Sequence, residues 1–132
     1  MARVVLDSSI VLALFDPDDV HHASAVAEIT QRRSAGDRFV LPALVLAEVL
    51  VGAARRAADE VTQRRQQVVA AFGPVRVIDA DVAERAARLR AAHPSLRMPD
   101  AVILAVTAVD GAIALTCDPD WPRYYDQAVV LG

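Results

Sequence analysis

Residues 3–15, RVVLDSSIVLALF, place a valine-rich run, an aspartate and an apolar helical pattern in direct succession. Arg3–Leu6 has the length and β-branched composition of a buried strand. Asp7 follows it at once, and the sequence DSS at 7–9 is typical of a helix start, with Ile10–Phe15 as the predicted helix. A strand that passes directly into a helix is the first unit of a parallel α/β sheet.

The rest of the chain repeats this alternation of short strands and longer helices, with no hairpin signal between the strands. Further strands are predicted at Phe39–Leu41, Val75–Ile78, Ala112–Thr116 and, at an edge of the sheet, Ala128–Leu131. The other predicted helices are His22–Arg33, Ala43–Ala57, Glu60–Phe72, Asp81–Ala92 and Ala101–Val109. The pattern predicts an α/β domain whose parallel sheet is covered by helices on both faces.

Length and composition limit the class of protein. The 132 residues suit one domain with one core, spanning residues 1–132. The chain is 55% hydrophobic, and this apolar surplus suggests a partner or a homodimer. Cys117 is the only cysteine, which excludes an internal disulfide framework and favours a reducing cytoplasm. No apolar run reaches the roughly 20 residues of a membrane helix, and Asp7 argues against a signal peptide, so we expect no membrane insertion.

The charge balance is mildly acidic, at −3, which argues against simple electrostatic binding of nucleic acid. All 14 basic residues are arginine, a residue that binds phosphate with two hydrogen bonds at once. Arg55, Arg56, Arg64 and Arg65 form an arginine-rich helical face that could contact a nucleic-acid backbone. Solvated surface arginines are the simpler interpretation of this face.

Two acids follow predicted strands. Asp7 comes directly after the first strand, and Asp118 comes almost directly after the fourth. In a parallel α/β sheet, ligands bind beyond the carboxyl ends of the strands, so both acids are expected at the same functional edge. Taken singly, Asp7 could merely cap the following helix, and Asp118 could merely form a turn before Pro119.

Two further acids lie in helices. Glu48 is surrounded by apolar residues in LVLAEVLVG, residues 44–52, where an unpaired carboxylate costs several kcal/mol or shifts its pKa. It therefore requires either a buried arginine partner or a functional site. Gly52, one turn later, indicates a close approach by substrate or tight helix packing. Asp100 begins the helix MPDAVILAVTAV, where favourable placement in the helix dipole is the structural alternative.

Four carboxylates at one place repel one another unless a cation neutralises them. Ligands that are all oxygen suit Mg²⁺ or Mn²⁺, and no histidine or cysteine is placed to form a zinc site. Such a cation lowers the pKa of a bound water and stabilises a leaving oxygen. The cluster therefore predicts a metal-dependent phosphodiesterase that leaves 5′-phosphate and 3′-hydroxyl ends.

The segments VVLDSSIVLALF, LPALVLAEVLVGA, MPDAVILAVTA and LTCDPDW, in this order, resemble the four motifs of the PIN domain. The length and layout are similar to those of the VapC toxins of bacterial toxin–antitoxin pairs, over essentially the whole chain. The resemblance implies a three-layer PIN-like fold with about five parallel strands in the order 3-2-1-4-5. It also implies Mg²⁺- or Mn²⁺-dependent cleavage of RNA, a homodimer, and inhibition by a cognate VapB-type antitoxin.

The resemblance assigns the catalytic and metal-binding acids to Asp7, Glu48, Asp100 and Asp118. Ser9 matches a small hydroxyl residue two positions after the first acid. Thr116 matches the usual threonine before the last acid, and Asp120 matches an acid often found two positions after it. Asp120 ranks below Asp118 as a candidate.

Two other side chains near the motifs could contact RNA. Arg97 precedes Asp100 by three residues and could reach a substrate phosphate. Trp121 takes the place of a common phenylalanine. Its indole could stack on a base, although packing at the rim of the site is the favoured interpretation.

Other functions remain to be weighed against a ribonuclease. Phosphoacceptor receiver domains and haloacid-dehalogenase-like phosphatases also use aspartates at strand ends, but both depend on a lysine near the phosphate, and this chain has none. A PIN-like interaction module with a lapsed site is a second alternative. A DNA-directed nuclease of the same architecture is a third, since the site chemistry does not distinguish RNA from DNA.

Overall fold

Five short parallel strands form one central sheet in the computed structural model, which describes residues 1–132. The strands are β1 (Arg3–Leu6), β2 (Arg38–Pro42), β3 (Val75–Arg76), β4 (Ile113–Thr116) and β5 (Ala128–Val130). Their order is β3-β2-β1-β4-β5, and every neighbouring pair is parallel. The predicted α/β class and the order 3-2-1-4-5 are therefore confirmed.

Six helices flank this sheet. They are α1 (Ser8–Phe15), α2 (His22–Ser34), α3 (Ala43–Arg56), α4 (Ala58–Phe72), α5 (Ala80–Ala92) and α6 (Met98–Val109), and a short 3₁₀ turn follows at Trp121–Arg123. Helix α5 packs against α6, and α3 packs against α4. None of the helices combines the length and the apolar character needed to cross a bilayer.

The central strand explains why apolar residues occur consecutively in the sequence. Val4, Val5 and Leu6 of β1 are fully buried, because a central strand of a parallel sheet is covered on both faces. Trp121 belongs to the same core and is only 1% exposed. Stacking of its indole on a base is therefore wrong for this structure: the ring is packed inside the protein.

Four helices begin earlier than the sequence predicts, and two of them, α1 and α6, begin beside the predicted acids. Helix α1 starts at Ser8 rather than Ile10, because the Asp7 side chain accepts a hydrogen bond from the Ser8 backbone and caps the helix. Helix α6 starts at Met98 rather than Ala101, since Pro99 is favourable in a first helical turn. Asp100 consequently lies within the first turn of α6. The remaining helix boundaries agree with prediction to within two residues.

Strand β3 is shorter than predicted and is anchored by an ion pair. It ends at Arg76 rather than Ile78. The Arg76 guanidinium donates to both carboxylate oxygens of Asp110, at 2.9 and 3.0 Å, and to Asp79 at 3.1 Å. Asp79 in turn caps α5 by accepting from the Val82 backbone. The side chain of Arg76 thus connects an edge strand to the end of α6 and the start of α5.

Asp110→Asn should lower the free energy of unfolding by about 1–3 kcal/mol, because it removes the charged partner of Arg76 at a side chain only 12% exposed. Urea denaturation measures this difference. Asp126→Asn, at an exposed residue without an ion pair, is the matched control and should change stability by less than ~0.5 kcal/mol. Equal stability of the two variants would contradict the anchoring role of the pair.

Candidate active site

The Asp7 carboxylate lies at the carboxyl end of β1 and is held by hydroxyl groups from two parts of the chain. It is only 6% exposed. Its Oδ2 accepts hydrogen bonds from Ser9 Oγ at 2.8 Å and Thr116 Oγ1 at 2.7 Å, and its Oδ1 accepts from the Ser8 backbone at 2.8 Å. The Asp7 backbone donates to Leu115 and extends the pairing of β1 with β4. The position and orientation of this carboxylate are therefore fixed.

The same two hydroxyl groups organise the loop after β4. Ser9 Oγ accepts a hydrogen bond from the Cys117 backbone, and Thr116 Oγ1 accepts from the Asp118 backbone, both at 3.0 Å. Each hydroxyl thus donates its one proton to Asp7 and accepts a hydrogen bond from this loop. The prediction that Asp7 and Asp118 follow neighbouring strands at one sheet edge is confirmed.

Glu48 lies in α3 as a half-buried acid that has no cationic partner. It forms no ion pair, and its Oε1 is buried without any hydrogen bond. The alternative of a buried salt bridge to arginine is therefore wrong. Burial raises the pKa of Glu48, and the negative charges of Asp7 and Asp100 raise it further. Ser8 and Arg97 offset part of this shift.

Asp100 lies in the first turn of α6 beside the one arginine that contacts the cluster. Burial raises the pKa of Asp100; Arg97 opposes this shift, while the charges of Asp7 and Asp118 add to it. Arg97 places Nε and Nη2 each 3.3 Å from Asp100 Oδ2. Its side chain is 76% exposed, so the guanidinium lies at the rim of the site.

The four acids predicted from the sequence thus lie in one electrostatic neighbourhood. As the side chains stand, no three acidic, histidine or cysteine side chains converge closely enough to chelate one ion. Mutual repulsion of carboxylates without a counter-ion is the physical reason to expect such spacing. The donor set nevertheless fits Mg²⁺ or Mn²⁺, because it is all oxygen and includes the unpartnered Oε1 of Glu48.

Asp120 does not add its carboxylate to the cluster. This side chain is exposed and lies 3.6 Å from Arg123 Nη1. Its backbone donates a hydrogen bond to Asp118 Oδ1 at 2.9 Å, so this residue orients Asp118 through its main chain. Sequence reasoning missed Ser8, whose backbone binds Asp7 and whose hydroxyl lowers the pKa of Glu48. The two consecutive serines after Asp7 are the signal that could have identified it.

Two of the four residues of the arginine-rich helical face, Arg56 and Arg64, line a cavity of about 710 Å³ between α1, α3 and α4. Arg56 pairs with Glu60, and Arg64 lies over the ring of Phe15 at 4.5 Å. Gly52 also lines this cavity, and a Cβ added there would meet only Arg56 Nη1 at 3.7 Å. Tight helix packing, one of the two explanations for Gly52, is therefore wrong.

Glu48→Gln should leave the chain at least as stable as the wild type at neutral pH in EDTA. The pKa of Glu48 is raised on folding, so the stability of the wild type falls as pH rises from the unfolded to the folded pKa. The advantage of the variant should therefore disappear as pH is lowered through the same window. Denaturation curves at several pH values measure this.

Glu84→Gln, at an exposed glutamate of α5, is the control and should follow the wild type at each pH. A large loss of stability in Glu48→Gln would mean that Glu48 has a stabilising partner and would contradict an unpaired, functional acid.

Comparison with known proteins supports the same fold. The family model of the PIN domain matches residues 4–127. Among curated proteins, no sequence matches this chain. A toxin–antitoxin complex from Klebsiella pneumoniae is 24% identical with a TM-score of 0.72, covering 96% of each chain. VapC20 from Mycobacterium tuberculosis, described as a sarcin–ricin loop cleaving toxin, is 24% identical with a TM-score of 0.68, covering 91% of this chain and 93% of that chain.

A third solved structure is VapBC2 from Rickettsia felis, bound to a DNA fragment from their promoter. It is 13% identical with a TM-score of 0.76, covering 97% of this chain and 96% of that chain. At these identities the likeness shows a shared fold. The family match extends over nearly all of the sequence and confirms the resemblance to this family: the chain belongs to the PIN domain family.

Proposed function

We propose that this chain is a metal-dependent endoribonuclease, the toxin of a toxin–antitoxin pair, and that residues 1–132 form a single PIN domain. One observation carries the proposal. The Asp7 carboxylate is fixed by Ser9 and Thr116 at the end of β1, beside two half-buried acids whose pKa values are raised. Buried acids with perturbed pKa values at a strand edge are typical of catalytic sites.

The proposed ligands of Mg²⁺ or Mn²⁺ are Asp7, Glu48, Asp100 and Asp118. When bound, such an ion lowers the pKa of a water molecule and stabilises the leaving oxygen of a phosphodiester. Its positive charge also offsets the repulsion that raises the pKa of Glu48 and Asp100. Carboxylates bind metal in the deprotonated form, so metal affinity should rise with pH through these raised pKa values.

The surrounding residues position these acids and the substrate. Ser9 and Thr116 hold Asp7 in one orientation, and Thr116 also fixes the backbone of Asp118. Arg97 uses two donors on Asp100, which leaves N–H groups at the rim for a substrate phosphate. The proposed nucleophile is water, and no protein side chain is required as the nucleophile.

Substrate and partner are proposed from relatives with the same fold. The description of VapC20 as a sarcin–ricin loop cleaving toxin supports RNA rather than DNA as the substrate. Solved toxin–antitoxin complexes support a cognate VapB-type antitoxin. Exposed apolar residues such as Leu12, Val51 and Met98 support contact with the antitoxin or a homodimer partner. We place this activity in the cytoplasm, with no role for a membrane.

Purified chain, freed of any partner, should cut total cellular RNA into discrete products in Mg²⁺ or Mn²⁺ and not in EDTA. Asp100→Asn should abolish this cleavage, because it removes a charged ligand oxygen. Asp126→Asn, the same change at an exposed acid outside the cluster, should cleave like the wild type. Gel analysis with 5′-end labelling should also find 5′-phosphate ends on the products.

Three results would point away from this function. Cleavage that survives in Asp100→Asn would place the chemistry elsewhere. Cleavage of DNA but not RNA would identify a DNA-directed nuclease. Folded protein that neither cleaves nor binds Mn²⁺ would identify a PIN-like interaction module with a lapsed site.

Thr116→Val should raise the metal concentration needed for half-maximal cleavage by about 10–100-fold, because Asp7 and Asp118 lose a shared positioning group. Thr107→Val is a matched control: Thr107 is also fully buried, but its hydroxyl binds only Ile103 of its own helix. Metal titrations of both variants separate positioning from general destabilisation. An equal shift in the two variants would contradict the proposed role of Thr116.

A further inference from the structure

Three arginines occupy one face of the sheet on three adjacent strands. Arg3 of β1 is in register with Arg38 of β2, so their side chains lie on the same face. Pro42 lies four residues after Arg38 and shares that face, and Arg76 of β3 is in register with Pro42. Arg3 and Arg38 stand at the amino ends of their strands, opposite the edge that holds the carboxylate cluster.

The charges on this face are not balanced. Like charges directly opposite each other on neighbouring strands destabilise a sheet. Arg3 and Arg38 have this arrangement, both side chains are exposed, and neither forms an ion pair. Arg76 differs, because Asp110 and Asp79 hold its guanidinium in place. Two guanidinium groups are therefore available to an anion beside a third that is fixed.

The three arginines border a common concavity of about 410 Å³. Its other lining residues include Phe39, Val40, Val75 and Asp110. Asp110 is the one acid in the lining, and its two oxygens are already bound by Arg76. The lining of the concavity thus combines apolar side chains with a net positive charge.

We propose that Arg3 and Arg38, with Arg76 beside them, form a phosphate-binding site separate from the carboxylate cluster. Phosphate matches this geometry better than a carboxylate, because its additional oxygens allow two guanidinium groups to bind at once. The phosphate group could belong to the backbone of the RNA substrate or to a free phosphate or mononucleotide. Binding of an RNA phosphate at this site rests on the proposed function, whereas binding of free phosphate or a mononucleotide does not.

The arginine site and the carboxylate cluster are separated along the sheet. Strand β1 is four residues long and separates Arg3 from Asp7 by about 13 Å along the sheet. A phosphate held at the arginines would therefore belong to a different nucleotide from the one being cleaved. The arginine site would position the RNA and take no part in the chemical step.

The double variant Arg3→Gln/Arg38→Gln tests the site, with Arg85→Gln/Arg88→Gln as a control of equal charge at exposed arginines of α5, outside the site and outside the arginine-rich face. The first measurement is the melting temperature in inorganic phosphate against chloride at equal ionic strength. We expect phosphate to raise it in the wild type and in the control. The Arg3/Arg38 variant should lose this rise, because a ligand stabilises only a folded state that binds it.

The second measurement is binding of a fluorescein-labelled RNA hairpin in EDTA over a range of salt concentrations. If RNA phosphates occupy the site, the slope of log affinity against log salt should fall by roughly 1.5 in the Arg3/Arg38 variant and not in the control. If the phosphate effect is lost but the RNA slope is unchanged, the site takes free phosphate or a mononucleotide. Neither measurement requires cleavage of RNA. A chain without nuclease activity can therefore still show or fail to show phosphate binding at the arginines.

Two results would overturn the proposal. One is that phosphate does not stabilise the wild type and that the salt slope of the Arg3/Arg38 variant equals that of the wild type. The other is that the melting temperature and the slope change equally in the Arg3/Arg38 variant and in the control. If the glutamine variant does not fold, Arg3→Lys/Arg38→Lys is the variant that tests the site. It keeps both charges but loses the paired N–H groups, so the affinity for phosphate should fall ~10-fold, while equal affinity would contradict the site.

Discussion

Burial of the Asp7 carboxylate is the constraint on which the arrangement of the site depends. A charged group that is nearly inaccessible to water is costly unless hydrogen bonds replace its hydration. Ser9, Thr116 and the Ser8 backbone supply these bonds. Two of the donors follow β1 and one ends β4, so satisfying this one carboxylate also joins the two central strands at their carboxyl ends. The loop that carries Asp118 is positioned by the same hydroxyl groups.

The other acids show a conflict between stability and function. Glu48 and Asp100 are each partly buried, and each is subject to the negative charges of its neighbours, so their pKa values are raised. Only Arg97 brings a positive charge into contact with the cluster, and it does so from the exposed rim. Elsewhere several half-buried acids are paired with arginine, as Asp37 is with Arg32 and Asp110 is with Arg76. Unbalanced negative charge at one place is expected where a cation is to be bound.

The sheet therefore has opposite charges at its two ends. Carboxylates collect beyond the carboxyl ends of β1 and β4, while Arg3 and Arg38 stand at the amino ends of β1 and β2. A net charge of −3 conceals this separation. If the proposed function holds, a nucleic acid would meet the carboxylate cluster at one end of the sheet and the unpaired guanidinium groups at the other. Local charge distribution, rather than the total, decides whether such a chain can bind phosphates.

The sequence by itself determined the alternation of strands and helices and the strand-end positions of Asp7 and Asp118, because hydrophobic periodicity and turn residues act locally. The four motifs indicated the strand order and the four acids. Tertiary structure alone decided that Glu48 has no arginine partner, that Trp121 is buried, and that Ser8 contributes to the site. It also decided the register that places Arg3 beside Arg38. These features depend on which distant segments pack together, and residue spacing along one chain carries no direct record of that.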